Sequence, residues 1–148
     1  MAAGVIVLVA VLAVATAFGM IWKNRNGRVR PAAAGAQAAV GRSAAPGGGV
    51  LSEAELGEPL GGRATLVQFS TAFCAPCRAT RVILADVAGL VEGVAHVEID
   101  AESHLDLVRR LDIRRTPTVL VLGPDGRIAQ RGSGQPRKAD VLAAIGKV

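Results

Sequence analysis

Several things are scarce in this chain, and each scarcity narrows what it can be. There are two cysteines and two histidines in 148 residues, no acidic residue before position 50, and no charged side chain at all in the first 22 positions. A closed zinc site takes four ligands. Cys74 and Cys77 supply two, and His96 and His104 fall on separate elements, so one chain acting alone lacks a zinc set; no metal site is expected. Two cysteines three apart also leave none over for a second, structural disulfide.

The missing acids explain the net charge. A formal +5 and a pI near 10.2 invite a polyanion-binding reading, and the distribution argues against it. Lys23, Arg25, Arg28, Arg30 and Arg42 precede residue 50, whereas all 12 acidic residues come after it. The other 12 of the 17 basic residues balance those 12 acids, so the C-terminal part is formally neutral. A neutral domain makes a poor nucleic-acid binder. The excess charge belongs to an N-terminal arm.

The uncharged start is a long apolar run, Val5 to Trp22. About 18 to 20 such residues suffice to cross the hydrocarbon core of a bilayer, and Trp22 followed by Lys23 and Arg25 has the composition of an interfacial anchor. Residues 1–22 are therefore expected to form one N-terminal transmembrane helix. A cleaved signal peptide competes with this, but Met1-Ala2-Ala3-Gly4 lacks the positive leader such a peptide needs. A buried globular helix also competes, but a basic linker separates the run from any core. Lys23, Arg25, Arg28 and Arg30 all lie on the C-terminal side, so the positive-inside rule places the C-terminal domain in the cytoplasm. An outward-facing domain is the alternative. Residues 23–49 are basic, then rich in Ala, Gly and Pro without apolar periodicity, and read as a flexible tether; its cations are positioned to touch anionic lipid.

Residues 50–148 carry the patterns of one domain. Val50-Leu51 is a vestige of a strand, and Ser52-Glu53-Ala54-Glu55 is a capping-box pattern opening a short helix. Leu66-Val67-Gln68-Phe69 reads as a strand. It is followed by a helix with Ile83, Val87, Leu90 and Val91 as its apolar stripe. Ala95 to Asp100 alternates as a strand. Ser103 is a candidate cap for a helix with Leu105, Val108 and Leu111 as its stripe. Val119–Leu122 and Arg127–Arg131 form a hairpin around Pro124-Asp125-Gly126, with Gly132 after the last strand. Val141, Leu142 and Ile145 are the buried face of a closing helix. The order predicts an α/β sandwich, a mixed central sheet with helices on both faces. No internal repeat is visible.

The chemistry concentrates at Cys74-Ala75-Pro76-Cys77, where the strand meets the helix. A first helical turn offers unpaired N–H groups and the positive end of the helix dipole, which stabilise a thiolate. Cys74, nearer the open end, is the candidate nucleophile. Cys77, one turn further in, is placed to resolve a mixed disulfide formed on Cys74. Pro76 pre-sets the first turn without removing a bond the helix needs. An inert thiol pair, or half of a zinc site shared between chains, are the competing readings.

Phe73-Cys74-Ala75-Pro76-Cys77-Arg78 resembles the active-site loop of the thioredoxin family. Arg114-Arg115-Thr116-Pro117-Thr118, just before the apolar strand Val119–Leu122, resembles that family's cis-proline segment. The resemblance runs over residues 50–148 with its landmarks in family order. It implies a thioredoxin-like fold and dithiol–disulfide exchange with no cofactor beyond the chain's own redox-active disulfide. It also implies protein disulfides as substrates and an upstream thiol reductant such as a thioredoxin reductase. Pro117 is then expected to be cis, leaving the Thr116 backbone open to pair with a substrate strand. Phe73, Ala75, Pro76 and Thr116 become substrate-binding or modulating positions, with the Thr116 hydroxyl near the thiolate. Read without the resemblance, Pro117 is an ordinary strand-edge proline.

The sequence also departs from the family. Gln68 stands where reductases of the family carry a buried aspartate, and an amide cannot act as a general base. His96 replaces the lysine that partners that aspartate. Gln68 and His96 are thus the candidate proton-relay positions, against the plainer reading of His96 as a solvated strand histidine. Phe73 replaces a tryptophan and Ala75 a glycine. Arg78 and Arg81 line the rim or are simply solvated. Two other functions stay open: a redox sensor or binding module for a membrane partner, and an outward-facing reductase of envelope or cytochrome assembly. Relatives of the latter kind insert structure after the cysteine helix, whereas here Gly89–Gly93 leaves only a short loop.

Overall fold

Strand β2 (Ala64–Ser70) is buried at every one of its positions, as a strand must be when both faces and both edges are covered. In the computed structural model, which describes residues 2–25, 30–31 and 49–148, it lies between parallel β3 (Val94–Asp100) and antiparallel β4 (Thr118–Leu122). Strand β5 (Ile128–Ser133) pairs with β4, and the two-residue β1 (Arg30–Pro31) pairs with β5. The sheet order is β1-β5-β4-β2-β3, so the expected mixed sheet is present.

Alternation along β2 sorts the core into two layers. Ala64 and Leu66, with Val119 and Val121, meet α3 (Ala75–Leu90) and α5 (Lys138–Ile145) through Leu84, Val87, Val141, Ala144 and Ile145. Val67 and Phe69, with Val97, Ile99, Leu120 and Leu122, form the other layer. It is closed by Leu51, Leu56 of α2 (Glu53–Leu56), and Leu111 and Ile113 beyond α4 (Leu105–Arg110). Full burial of each large apolar side chain contributes about 1.5–3 kcal/mol, so both layers are needed to hold β2 in place.

The short helix α2 begins as its capping box requires: Glu55 Oε2 accepts from the Ser52 backbone N–H at 2.9 Å and from its hydroxyl at 3.0 Å. It stops at Gly57, whose φ of 71° is a left-handed cap conformation. In the β4–β5 turn, Gly123 N–H donates to Arg127 O at 2.9 Å and Gly126 adopts φ 75°. A side chain at Gly126 would run into the Leu51 carbonyl oxygen. The chain between α3 and β3 is short, with Gly93 at φ 76°.

The structure corrects several boundaries. Of the expected α3 stripe, Val87 is buried and Val91 packs against the same layer, but Leu90 is 63% exposed and Ile83 only half-buried; Cys77, Thr80 and Leu84 complete the buried face. Two offset i, i+4 patterns coexist in this alanine-rich helix, and the register against the sheet selects one. Ser103 does not cap α4: its hydroxyl is turned back onto Asp100 Oδ2, and His104 holds the cap position. Of the expected α4 stripe, Val108 packs against the core and Leu111 is buried just past the helix end, joined by Leu107 and Ile113, whereas Leu105 is half exposed. Leu142 is largely turned out of the core, with Ala144 in its place. β5 begins at Ile128 and continues through Gly132, which pairs with Val119, because the edge of β4 extends that far.

At the N-terminus, α1 (Ala2–Arg25) is helical past the expected end of the apolar run. Arg30–Pro31 joins the sheet within the stretch read as tether; the remainder of that stretch, 26–29 and 32–48, lies outside the described residues. Among the described residues, no helix is long and apolar enough to cross a membrane. The side chains described in α1 are those of residues 6–21, a stretch of about 24 Å at 1.5 Å per residue, against a hydrocarbon core of about 30 Å.

Candidate active site

The site is assembled where β2 ends and α3 begins. After Ser70 the chain turns, with Cys74 N–H donating to Thr71 O at 3.3 Å. Cys74 is extended, at φ −95° and ψ 97°, and acts as the N-cap of α3. Its sulfur accepts from the Cys77 backbone N–H at 3.2 Å, a first-turn donor that is shared with Cys74 O at 3.1 Å. Pro76 sits in the first turn, where its missing N–H costs nothing. Cys74 and Cys77 form a disulfide with sulfurs 2.04 Å apart and Cα atoms 5.1 Å apart. Cys74 is half-buried and Cys77 is 2% exposed, so Cys74 is the sulfur that another molecule reaches. When the bond opens, the Cys77 N–H and the helix dipole act on Cys74 in the thiolate-stabilising sense.

A second wall comes from the chain before β4. The Thr116–Pro117 peptide bond is cis. Pro117 O accepts from Gly134 N–H at 2.7 Å, and the Thr118 hydroxyl donates to Arg115 O at 2.7 Å, which fixes the segment from both sides. The Thr116 hydroxyl, expected near the thiolate, lies 3.3 Å from the Thr71 hydroxyl and so ties this wall to the turn before Cys74. Phe73 is 99% exposed, and Ala75 and Pro76 are exposed beside it.

Beneath the disulfide lies Gln68, at 0% exposure. Its Nε2 donates to Cys77 O at 2.9 Å, while its Oε1 is buried with no partner. The amide thus anchors the first turn of α3 to β2 and leaves one acceptor unused under the cysteines. Gln68→Asp puts an ionisable group there, and desolvation raises the pKa of a buried carboxyl. Resolution of a mixed disulfide by Cys77 is expected to speed up near neutral pH, read by stopped-flow. The melting temperature is expected to fall, because the bond to Cys77 O is lost. An unchanged rate would mean that another group already moves the proton.

The neighbouring strand contributes a cluster that sequence reasoning did not find. Register sets Glu98 beside Gln68 and His96 beside Leu66, all on the α3 side of the sheet. Glu98 accepts from the Ser70 hydroxyl at 2.6 Å and from Arg81 Nη2 at 2.8 Å, with Arg81 Nε at 2.5 Å from its other oxygen. Arg81 is therefore paired rather than merely solvated. Burial pushes the Glu98 carboxyl up, but the bonds from Arg81 and Ser70 and the charges of Arg81 and His96 outweigh it and hold it below the usual range. Only strand register brings Ser70, Arg81 and Glu98 together, and register is not written in any local motif.

His96 is not the solvated histidine of the plainer reading. It is half-buried with Nε2 lacking a partner. Burial lowers its pKa, with Glu98 opposing and Arg81 reinforcing. A histidine with a depressed folded pKa stabilises the fold fully above its ordinary value near 6.5, and the contribution is lost as pH falls below it. The depressed Glu98 acts in the same direction at lower pH, below the ordinary carboxylate range. Melting temperature should therefore decline from pH 7.5 to 5, and His96→Leu should flatten that decline. A variant with the same slope as the parent would show that His96 binds its proton equally well in the folded and unfolded states.

The comparisons with known proteins agree with this geometry. The thioredoxin family model matches residues 53–147. Thioredoxin H5 of Oryza sativa subsp. japonica is 28% identical over 61 residues, covering 41% of this chain and 45% of that protein; the match thus spans under half the length of that relative. Among solved structures, chloroplastic thioredoxin z superposes with a TM-score of 0.52 at 26% identity, over 57% of this chain and 77% of that one. Mitochondrial thioredoxin 3 of Saccharomyces cerevisiae, at 19% identity and a TM-score of 0.52 over 58% of this chain and 79% of that one, shares the fold. With the family model covering most of the chain, a Cys74–Cys77 pair at the start of α3 and a cis proline before β4 whose neighbour Thr116 reaches the turn before Cys74, the chain belongs to the thioredoxin family.

Proposed function

We propose that this chain is a membrane-tethered thiol–disulfide oxidoreductase that reduces or exchanges protein disulfides. The observation that carries the reading is the Cys74–Cys77 disulfide capped by its own helix, with one sulfur accessible and the other buried. In the reduced form the Cys74 thiolate attacks a substrate disulfide, one substrate sulfur leaves as a thiolate, and a mixed disulfide forms. Cys77 loses its proton and attacks Cys74, which releases the second substrate sulfur. Two electrons and two protons pass to the substrate, and the Cys74–Cys77 bond is restored. An upstream thiol reductant, of the thioredoxin reductase class, reopens it. The chemistry needs no cofactor beyond this disulfide. Pro117 and the Thr116 backbone are the docking edge; Gln68 holds the proton-relay position but, as an amide, only anchors Cys77 O, so water or His96 carries the proton of Cys77. The test is insulin reduction by the full chain in detergent with dithiothreitol as electron source. A turbidity rate no faster than dithiothreitol alone overturns the reading and favours a sensor or binding module.

The tether is α1. In support, the side chains described from Ile6 to Ile21 are apolar except Thr16, and that hydroxyl donates to Leu12 O at 2.7 Å. No polar group on this stretch is left seeking water, which is what a lipid environment demands. The large apolar side chains around the helix are exposed, so a cover of lipid accounts for them. The uncharged run in the sequence extends beyond this stretch to Met1 and Trp22.

The four cations after Trp22 favour a cytoplasmic domain, where the cysteines would rest as a dithiol. With a tag at Val148, protease added to wall-stripped cells should spare the tag until the membrane is opened. Loss of the tag from intact cells sinks the cytoplasmic placement and points to envelope substrates.

A further inference from the structure

The outer edge of β5 is covered by the N-terminal arm in two pieces that run in one line. Arg30 and Pro31 pair with Arg131 and Gln130. Further along, Ile128 N–H donates to Gly49 O at 3.0 Å and Val50 bridges Arg127, again antiparallel. The chain leaves this edge after Pro31 and is back on it at Gly49, close to where it left.

The direction of this line matters. Ser133, at the end of β5, pairs with Thr118, the residue after the cis proline, so that end of the sheet is the redox pole. An arm antiparallel to β5 that begins at Arg131 and proceeds towards Arg127 enters from the redox pole and leaves towards the Pro124-Asp125-Gly126 turn. Only residues 26–29 separate Arg30 from the end of α1 at Arg25. Five Cα steps reach at most about 18 Å. Without the pairing at Arg30, the first fixed point would be near Gly49, and a chain of 23 intervening residues has a typical span of about 25 Å with a much longer maximum reach. It would also impose no direction.

We infer that the edge pairing of Arg30–Pro31 shortens the tether and turns the redox pole towards the bilayer, so that the substrates are disulfides carried by membrane proteins close to the lipid surface. This rests on the anchor reading of α1. The opposite pole, the exposed Asp125 turn, then faces away from lipid. The length of chain between Pro31 and Gly49 plays no part in this distance, because those two residues both lie on β5.

The experiment uses the full chain carrying Cys74→Ser and Cys77→Ser, with a single nitroxide label introduced through Phe73→Cys or Asp125→Cys. The protein is reconstituted in vesicles containing a nickel-chelating lipid. Line broadening by the nickel is expected to be stronger at 73 than at 125. A flexible Gly/Ser spacer of about 20 residues, with a typical span of about 25 Å, inserted between Asn26 and Gly27 should erase the difference. The same spacer between Val40 and Gly41 should leave it intact. Equal broadening at both sites, stronger broadening at 125, or no effect of the first spacer overturns the inference while the anchor stands. Protein that fails to co-float with vesicles overturns the anchor reading, and this inference with it.

Discussion

Cys74→Ser should reduce insulin turnover to the rate of dithiothreitol alone, and Cys77→Ser should instead accumulate covalent complexes with substrate. The asymmetry comes from position. Cys74 is the cap residue and half-buried, so it is the sulfur that meets another molecule, while Cys77 at 2% exposure is shielded from anything but Cys74. Removing Cys74 removes the attack. Removing Cys77 leaves the attack and deletes the resolution, so bands on a non-reducing gel should appear and vanish on adding dithiothreitol. Full activity in Cys74→Ser would end the oxidoreductase reading.

Phe69→Ala should be the most damaging single change in the core away from the cysteines. Phe69 is 0% exposed, the largest side chain in the layer with Val67, Ile99 and Leu120. Emptying such a site costs about 3–5 kcal/mol, which for a domain of this size lowers the melting temperature by roughly 15–30 °C. It also loosens β2 just before the turn that presents Cys74, so activity should fall at temperatures where the fold survives. Phe73→Ala is the control: at 99% exposure its removal should change stability by less than about 0.5 kcal/mol. Circular dichroism melts of both variants decide the matter, and a Phe69→Ala midpoint within a few degrees of the parent would refute it.

What is legible in the sequence divides along the range of the interactions. The cysteine pair, Pro76, the Ser52–Glu55 box and the Pro124-Asp125-Gly126 turn are local signals, since each residue's partner lies within a few positions, and the structure has them where those signals put them. The α3 stripe is only half legible: Val87 and Val91 face the core, while Leu84 takes the place expected of Ile83 and Leu90 is exposed, because an alanine-rich helix carries two overlapping apolar patterns. The tie between Ser70, Arg81 and Glu98 spans 28 residues from Ser70 to Glu98, and only the β2–β3 register creates it. The second role of Gln68, holding Cys77 O, is hidden for the same kind of reason: the departure from a carboxylate is visible, but the bond depends on where α3 sits over β2. Arg30–Pro31 has no periodicity to announce it, and a two-residue edge strand containing proline is compatible with pairing on one side only.

The sheet has two edges, and they are treated differently. That of β5 is covered by the arm. Among the described residues, that of β3 pairs only with β2, and an uncovered strand edge is a template for stray strands, the usual start of edge-to-edge aggregation. Glu98 and Asp100 alternate along this strand, one tied to Arg81 and Ser70, the other to Ser103 and the Glu102 N–H. An incoming strand would have to lie against two fixed carboxylates and the guanidinium that reaches across from α3. The same ion pair that ties α3 to β3 thus also guards the open side of the sheet against self-association.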